Sequence, residues 1–154
     1  MIKQVVWRWM RFEAFTAEEM YELLAIRQEV FVVEQNCAYL DADALDPTAW
    51  HLLGRGQSGS IAAYLRVNPP GTRFAEPSVG RLLTRASDRG KGLAQAAMEK
   101  AISKCRRDYP GMGIRISAQT YLTDFYNGFG FSACSPPYEE DGIPHVDMFK
   151  PFTP

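Results

Sequence analysis

Hydrophobic and polar positions change period several times along the chain, and each change predicts an element. Residues 5–13 mix aromatic and charged side chains (Trp7, Arg8, Trp9, Arg11, Phe12), which predicts a half-exposed strand. Thr16-Ala17-Glu18-Glu19 has the form of a capping box: the Thr16 hydroxyl can take an orphan amide while Glu19 reaches back to the Thr16 amide. The helix that follows carries Met20, Leu23, Leu24, Arg27, Val30 and Phe31 near helical spacing. Residues 36–48, with Asp41, Asp43, Asp46 and Pro47, break the pattern and predict a polar loop. Residues 50–54 and 61–67 predict two strands joined by a turn at 56–60. Pro69-Pro70-Gly71 is another break, and 78–84 predicts a fourth strand.

The longest helix is predicted over 92–107. Leu93, Ala97, Ala101 and Cys105 recur every fourth residue beside Met98 and Ile102, giving one small apolar face. Lys104, Arg106 and Arg107 fall in its last turn, where positive charge complements the helix dipole, and Pro110-Gly111 ends it. Residues 114–118 read as a strand, 121–128 as a short helix, 131–134 as a strand and 145–149 as the last strand. This order predicts an α/β sheet with helices on both faces.

At 154 residues the chain is expected to form a single domain, 1–154, with a real core. Its 46% apolar and 23% charged residues suit an ordinary globular protein. A formal net charge of -1 leaves no global field for nucleic acid or an anionic membrane, so neither partner is expected. No stretch is long and apolar enough to span a bilayer, and Arg8 and Arg11 interrupt what a signal peptide would keep apolar. Cys37, Cys105 and Cys134 form no C-x-x-C pair, which fits a reducing, cytoplasmic compartment. With only His51 and His145 besides, no metal site is expected. Trp7 and Trp9 would suit a homodimer interface or a packed strand.

Chemistry concentrates at Arg89-Gly90-Lys91-Gly92-Leu93-Ala94, where a strand gives way to the longest helix. Glycines let backbone approach a ligand closely, and a helix start offers unpartnered amides and the positive end of the dipole. Arg89 and Lys91 add charge, so the segment suits a phosphate, or else is a plain basic turn. It is not a P-loop, because Gly92 rather than Ser or Thr follows Lys91. Nor is it a dinucleotide fingerprint, because Gln95 stands where a third small residue is required.

Arg89-x-x-Gly92-x-Ala94 resembles the Q/R-x-x-G-x-G/A signature of the Gcn5-related N-acetyltransferases. Phe125-Tyr126-x-x-Phe129-Gly130-Phe131, one helix and one strand later, looks like that family's second cofactor block. The stretches from Arg27 to Asn36 and from Tyr138 to His145 resemble the ElaA-type branch. The resemblance implies the acyl-CoA N-acyltransferase fold, an α+β arrangement with a mixed, mainly antiparallel sheet of six to seven strands. It also implies acetyl-CoA as cosubstrate and an amine of a small molecule or peptide as acceptor. Residues 89–94 would then hold the pyrophosphate, Arg81, Leu82, Leu83 and Thr84 would pair with the pantetheine arm, and an amide of that strand would polarise the thioester carbonyl. Gln119 and Leu122 stand where the family often has Asn and Ala, so the resemblance does not fix how this edge of the cofactor would be held.

Tyr126 is the candidate general acid, since a phenol with a pKa of about 10 is protonated at neutral pH; the alternative is a core aromatic. Glu34 ends an apolar run and is either a base facing a cleft or a solvated carboxylate. His51 reads as structural. His145, in a loop with Glu139, Glu140 and Asp141, either lines a pocket for a cationic amine or belongs to a solvated acidic turn, and the resemblance favours the pocket. Two other functions share this frame: an acyltransferase for longer chains, as in autoinducer synthases with their similar Arg-x-x-Val-Phe stretch, and an acyl-CoA-binding module without turnover.

Overall fold

The structure is a computed structural model and describes residues 4–153, so the outermost ends of the expected 1–154 unit lie outside the described residues. Four strands, β1 (Val6–Arg11), β2 (Trp50–Arg55), β3 (Ile61–Asn68) and β4 (Ser78–Thr84), pair antiparallel in that order. All eight residues of β3 are buried, because both faces of this sheet are covered. Period-two alternation sorts its side chains: Leu52 and Leu65 pack with α2 (Leu93–Asp108), whereas Leu53, Tyr64 and Leu83 pack with α1 (Ala17–Gln28). Each fully buried Leu or Met here contributes roughly 1.5–3 kcal/mol. The capping box forms as expected, with Glu19 N donating to Thr16 Oγ1 at 3.1 Å and Thr16 N to Glu19 Oε1 at 3.0 Å.

Gly54 faces Trp7 across β1 and β2, where a Cβ would sit 2.7 Å from the indole, so only glycine fits beneath the ring. Trp9 and Trp50 enclose the Lys104 ammonium, which lies 3.8 Å from the Trp50 ring and 2.9 Å from Asp108. Lys104 is therefore buried against aromatic faces near the C-terminal end of α2.

The second half forms another antiparallel sheet. β5 (Ile114–Gln119) pairs with β8 (Ile143–Lys150), which also pairs with β6 (Ser132–Ala133) and β7 (Tyr138–Glu140). Among the described residues eight strands replace the six to seven expected. The extra one, β7, forms a hairpin with β8 through Asp141 and Gly142, both at positive φ. Glu139, Glu140 and His145 thus lie on strands and not in a loop. The helix expected over 121–128 is a 3-10 turn, Thr120–Leu122, followed by α3 (Thr123–Asn127). α1 continues past Gln28 as a π-helical turn, Glu29–Glu34.

The loop after that turn is pinned by ions. Arg27, fully buried, binds Asp41 and Asp46, each at 2.7 Å; Arg66 binds Asp43 and Asp46; Arg81 binds Asp41 at 2.8 Å. His51 is also buried, with Tyr64 Oη 2.6 Å from Nδ1 and the Asp46 carbonyl 3.0 Å from Nε2. Burial holds the imidazole below its ordinary pKa, which fits the structural role expected of it.

Candidate active site

The seam between the two sheets makes the site. β4 and β5 start side by side, joined where the Arg115 amide donates to the Pro77 carbonyl at 3.0 Å. Beyond that bond no ladder links them, and the edge of β4 lines a cleft of about 760 Å³. The sequence favours this opening through a bulge. Tyr64 pairs with Leu83 and Arg66 with Gly80, so Leu65 faces both Arg81 and Leu82. Arg81 takes a left-handed φ of 52°, unusual for a residue other than glycine, and its guanidinium is anchored to Asp41.

One end of the cleft is the glycine segment. Gly90 and Gly92 have φ of 78° and 77°, and no atom lies within 4 Å of where a Cβ would project. Glycine is needed there for conformation, and the space in front is open. Gly92 is the N-cap of α2 without a side-chain cap, and the first helical bond runs from Ala96 N to Gly92 O. The amides of Leu93, Ala94 and Gln95 are therefore free of intrahelical partners, the arrangement an anion requires. Arg89, Gly90, Leu93 and Ala94 line the cleft; Lys91 and Gly92 do not, and Lys91 is drawn to Asp88 at 3.1 Å.

Arg89 already has an anion. Its guanidinium donates to Glu34 Oε2 at 2.6 Å and to the Thr84 carbonyl at 3.0 Å. Glu34 thus faces the cleft at its glycine end, where it occupies Arg89. Exposed ion pairs of this kind are worth about 0.2–1 kcal/mol. Glu34→Gln is accordingly expected to tighten coenzyme A binding about two- to fivefold by calorimetric titration; unchanged or weaker binding would show that the pair does not compete with the ligand.

Midway along the cleft, Tyr126 on α3 packs edge-on against Phe125 and Phe131, with centroids at 5.1 and 6.0 Å. Burial pushes its phenol up to about 12, so the hydroxyl keeps its proton at any working pH. Leu82, Leu83 and Thr84 line the same stretch from β4, and Gln119 lines it from β5, where its amide reaches Gln35 at 3.4 Å.

The far end is walled by β7 and β8. His145 is 7% exposed, and its Nδ1 lies 2.7 Å from the Ile143 carbonyl, an acceptor only. Nδ1 therefore carries a proton, and Nε2 lies 3.6 Å from Glu140 Oε2. Glu140 is tied to Arg73 at 3.0 Å, and Tyr39 and Leu40 form an exposed apolar rim.

Sequence reasoning overlooked Arg66, Asp43 and Ser117, which also line the cleft. Two signals could have found Arg66 and Ser117: a lone arginine inside the apolar run 61–67, and the alternation Arg115, Ser117, Gln119 along β5. Among the described residues no group of three or more His, Cys, Asp or Glu is placed to hold a metal ion, and no helix is long and apolar enough to cross a membrane.

A family model for the acetyltransferase (GNAT) domain matches residues 15–152. The chain belongs to the Gcn5-related N-acetyltransferase family. It falls in the ElaA-like branch: protein ElaA of Escherichia coli is 34% identical over 148 residues, covering 95% of this chain and 96% of that protein. The crystal structure of that protein superposes with a TM-score of 0.87, covering 96% of this chain and 99% of the other. An acyl-CoA N-acyltransferase from Pseudomonas aeruginosa, 35% identical, superposes with a TM-score of 0.90 over 96% of this chain and 99% of its own. The UPF0039 protein sll0451 of Synechocystis sp. is 48% identical over 145 residues, 94% of each chain. The acetyltransferase match spans both ends of the cleft, from α1 and its acidic loop through the glycine segment to β8.

Proposed function

We propose that the protein is an acetyl-CoA-dependent N-acetyltransferase acting on a primary amine of a small molecule or peptide. The observation that carries this reading is one continuous cleft lined by the glycine segment at the uncapped start of α2, by Tyr126 and by His145. The residues fit the cosubstrate. The open space before Gly90 and the uncapped start of α2 suit a pyrophosphate held with Arg89, while Lys91 and Gly92 support the loop from behind. The free edge of Leu82, Leu83 and Thr84 suits the amides of pantetheine, with Gln119 opposite. Acetyl-CoA supplies the acetyl group as a reactive thioester.

Chemistry is divided between two side chains. His145 Nε2 takes a proton from the amine as the C–N bond forms, and Glu140 stabilises the resulting imidazolium. Tyr126 hands its proton to sulfur as the C–S bond breaks, and solvent later returns the proton from His145 to Tyr126. An amide at the β4 bulge polarises the carbonyl. Glu34, held at Arg89, is assigned to the cofactor end rather than to this proton transfer. Three unpaired cysteines support a reducing, cytoplasmic setting.

The test is free-thiol release from acetyl-CoA with a panel of polyamines, aminoglycosides, amino acids and peptides. Release with at least one amine is expected, together with a rise in melting temperature on adding coenzyme A. No thermal shift at roughly 1 mM coenzyme A would sink the reading. A shift without release from any amine would instead favour a binding module without turnover.

A further inference from the structure

Asp147 is a buried carboxylate that the chemistry above leaves unused. It sits in the middle of β8, with Oδ2 held by Arg115 at 2.7 Å and Oδ1 accepting the Tyr138 hydroxyl at 2.5 Å. The Tyr138 hydroxyl is also 2.5 Å from Ser117 Oγ, and Ser117 lines the cleft. Register explains the meeting. Ser117 lies opposite Asp147, Gln119 opposite His145, and Tyr138 opposite His145 on the other side, so all project from one face. The Tyr138 ring stacks on His145 with centroids 6.2 Å apart.

The direction of this chain follows from its donors. A carboxylate held by a guanidinium accepts, so the single Tyr138 proton points at Asp147. Ser117 must then donate its own proton to the Tyr138 oxygen. Burial and the Asp147 bond push the Tyr138 phenol up to about 12, which keeps this direction through neutral and alkaline pH. The Ser117 oxygen therefore turns lone pairs, and no proton, toward the cleft.

We propose that Ser117, oriented by Tyr138 and Asp147, is an acceptor-binding residue that takes one N–H of the incoming amine and, with His145 Nε2, selects primary amines. The inference rests on the N-acetyltransferase reading and adds the residue that recognises the amine. A neutral primary amine has two N–H donors and one lone pair. One donor meets Ser117, the other meets His145 Nε2, and the lone pair is left for the carbonyl. A secondary amine or an alcohol has a single donor, so one of the two acceptors goes unpaired, which discriminates strongly in a confined site. Ser117 touches the substrate; Tyr138 and Asp147 position it.

The test uses the full chain with saturating coenzyme A at a pH above the pKa of the amines, so that both are neutral, titrated with phenethylamine and with N-methylphenethylamine and followed by amide resonances, with thiol release from acetyl-CoA in parallel. Phenethylamine is expected to move the Ser117 and Tyr138 amides and to bind at least tenfold tighter than its N-methyl counterpart. Tyr138→Phe and Ser117→Ala are expected to weaken phenethylamine about tenfold, with KM rising more than kcat falls and the pH profile in place, while Ser117→Thr restores binding. Unmoved amides, equal binding of the two amines, equal binding by Tyr138→Phe and wild type, or a pH limb that shifts at constant KM would each overturn it. If Tyr138→Phe fails to fold, the Ser117→Ala and Ser117→Thr pair decides. Failure of the acetyltransferase reading shows separately, as coenzyme A that leaves the Gly90 and Leu93 amides unmoved.

Discussion

His145→Asn is expected to lower kcat for acetyl transfer at neutral pH by about 10²–10⁴-fold, the range that a positioned general base supplies. Asparagine is the informative replacement because its amide nitrogen can occupy the place of Nδ1 and keep the bond to the Ile143 carbonyl. The fold of β8 is then preserved while the lone pair of Nε2 is removed. The loss should shrink as pH approaches the pKa of the amine, because a neutral amine attacks readily and solvent can take the proton afterwards. Kinetics over pH with a turned-over amine measure both effects. An unchanged rate at neutral pH would remove His145 from proton transfer and return the question to Glu34 or water.

Arg27→Met is expected to cost about 3 kcal/mol, the lower end of the range for breaking a buried ion pair. The lower end applies because Asp41 keeps Arg81 and Asp46 keeps Arg66. For a chain of this length that is a fall in Tm of roughly 6–12 °C, readable by circular dichroism. A change under about 2 °C would mean that the network is redundant at Arg27. Acid should attack the same network. Burial opposes the charge on Asp43, but the Arg66 hydrogen bond and charge outweigh it and hold the carboxyl at about 2. Its pKa is thus lower folded than unfolded, so its contribution is complete above about pH 4 and is lost as pH falls toward 2. Asp46 shifts in the same direction and adds to the loss.

Local pattern made much of the fold legible. The capping box at Thr16, the strand 78–84 and the small apolar face of α2 each have a strong period or a specific cap, and each is present. β7 was invisible because three residues, two of them glutamates, carry no usable period; hydrogen bonds to β8 define it. The π-helical turn shares the apolar spacing of the helix before it, so only the change in hydrogen bonding reveals it. Sequence places Lys104 near the helix end but does not show Trp9 and Trp50 around it. At the site, glycine spacing marked residues 89–94, and the structure brings Arg89, Gly90, Leu93, Ala94, Tyr126, Glu34 and His145 to one cleft. Pairings across long separations stayed hidden. Arg89 and Glu34 are 55 residues apart, and Ser117, Tyr138 and Asp147 meet only through strand register.

The single bond between Pro77 and Arg115 has a consequence for what the seam admits. An unpaired strand edge ordinarily invites another polypeptide, which is how edge-to-edge aggregation begins. Inserting a full strand between β4 and β5 would require nearly 10 Å of separation along its whole length, two spacings of about 4.8 Å. A seam stitched shut at one end opens as a wedge and does not reach that width near the stitch. That geometry disfavours a full strand and, on the proposed reading, suits a slender chain that brings its own amides. The fold thus keeps a length of sticky edge available to a narrow guest while shielding it from its own kind.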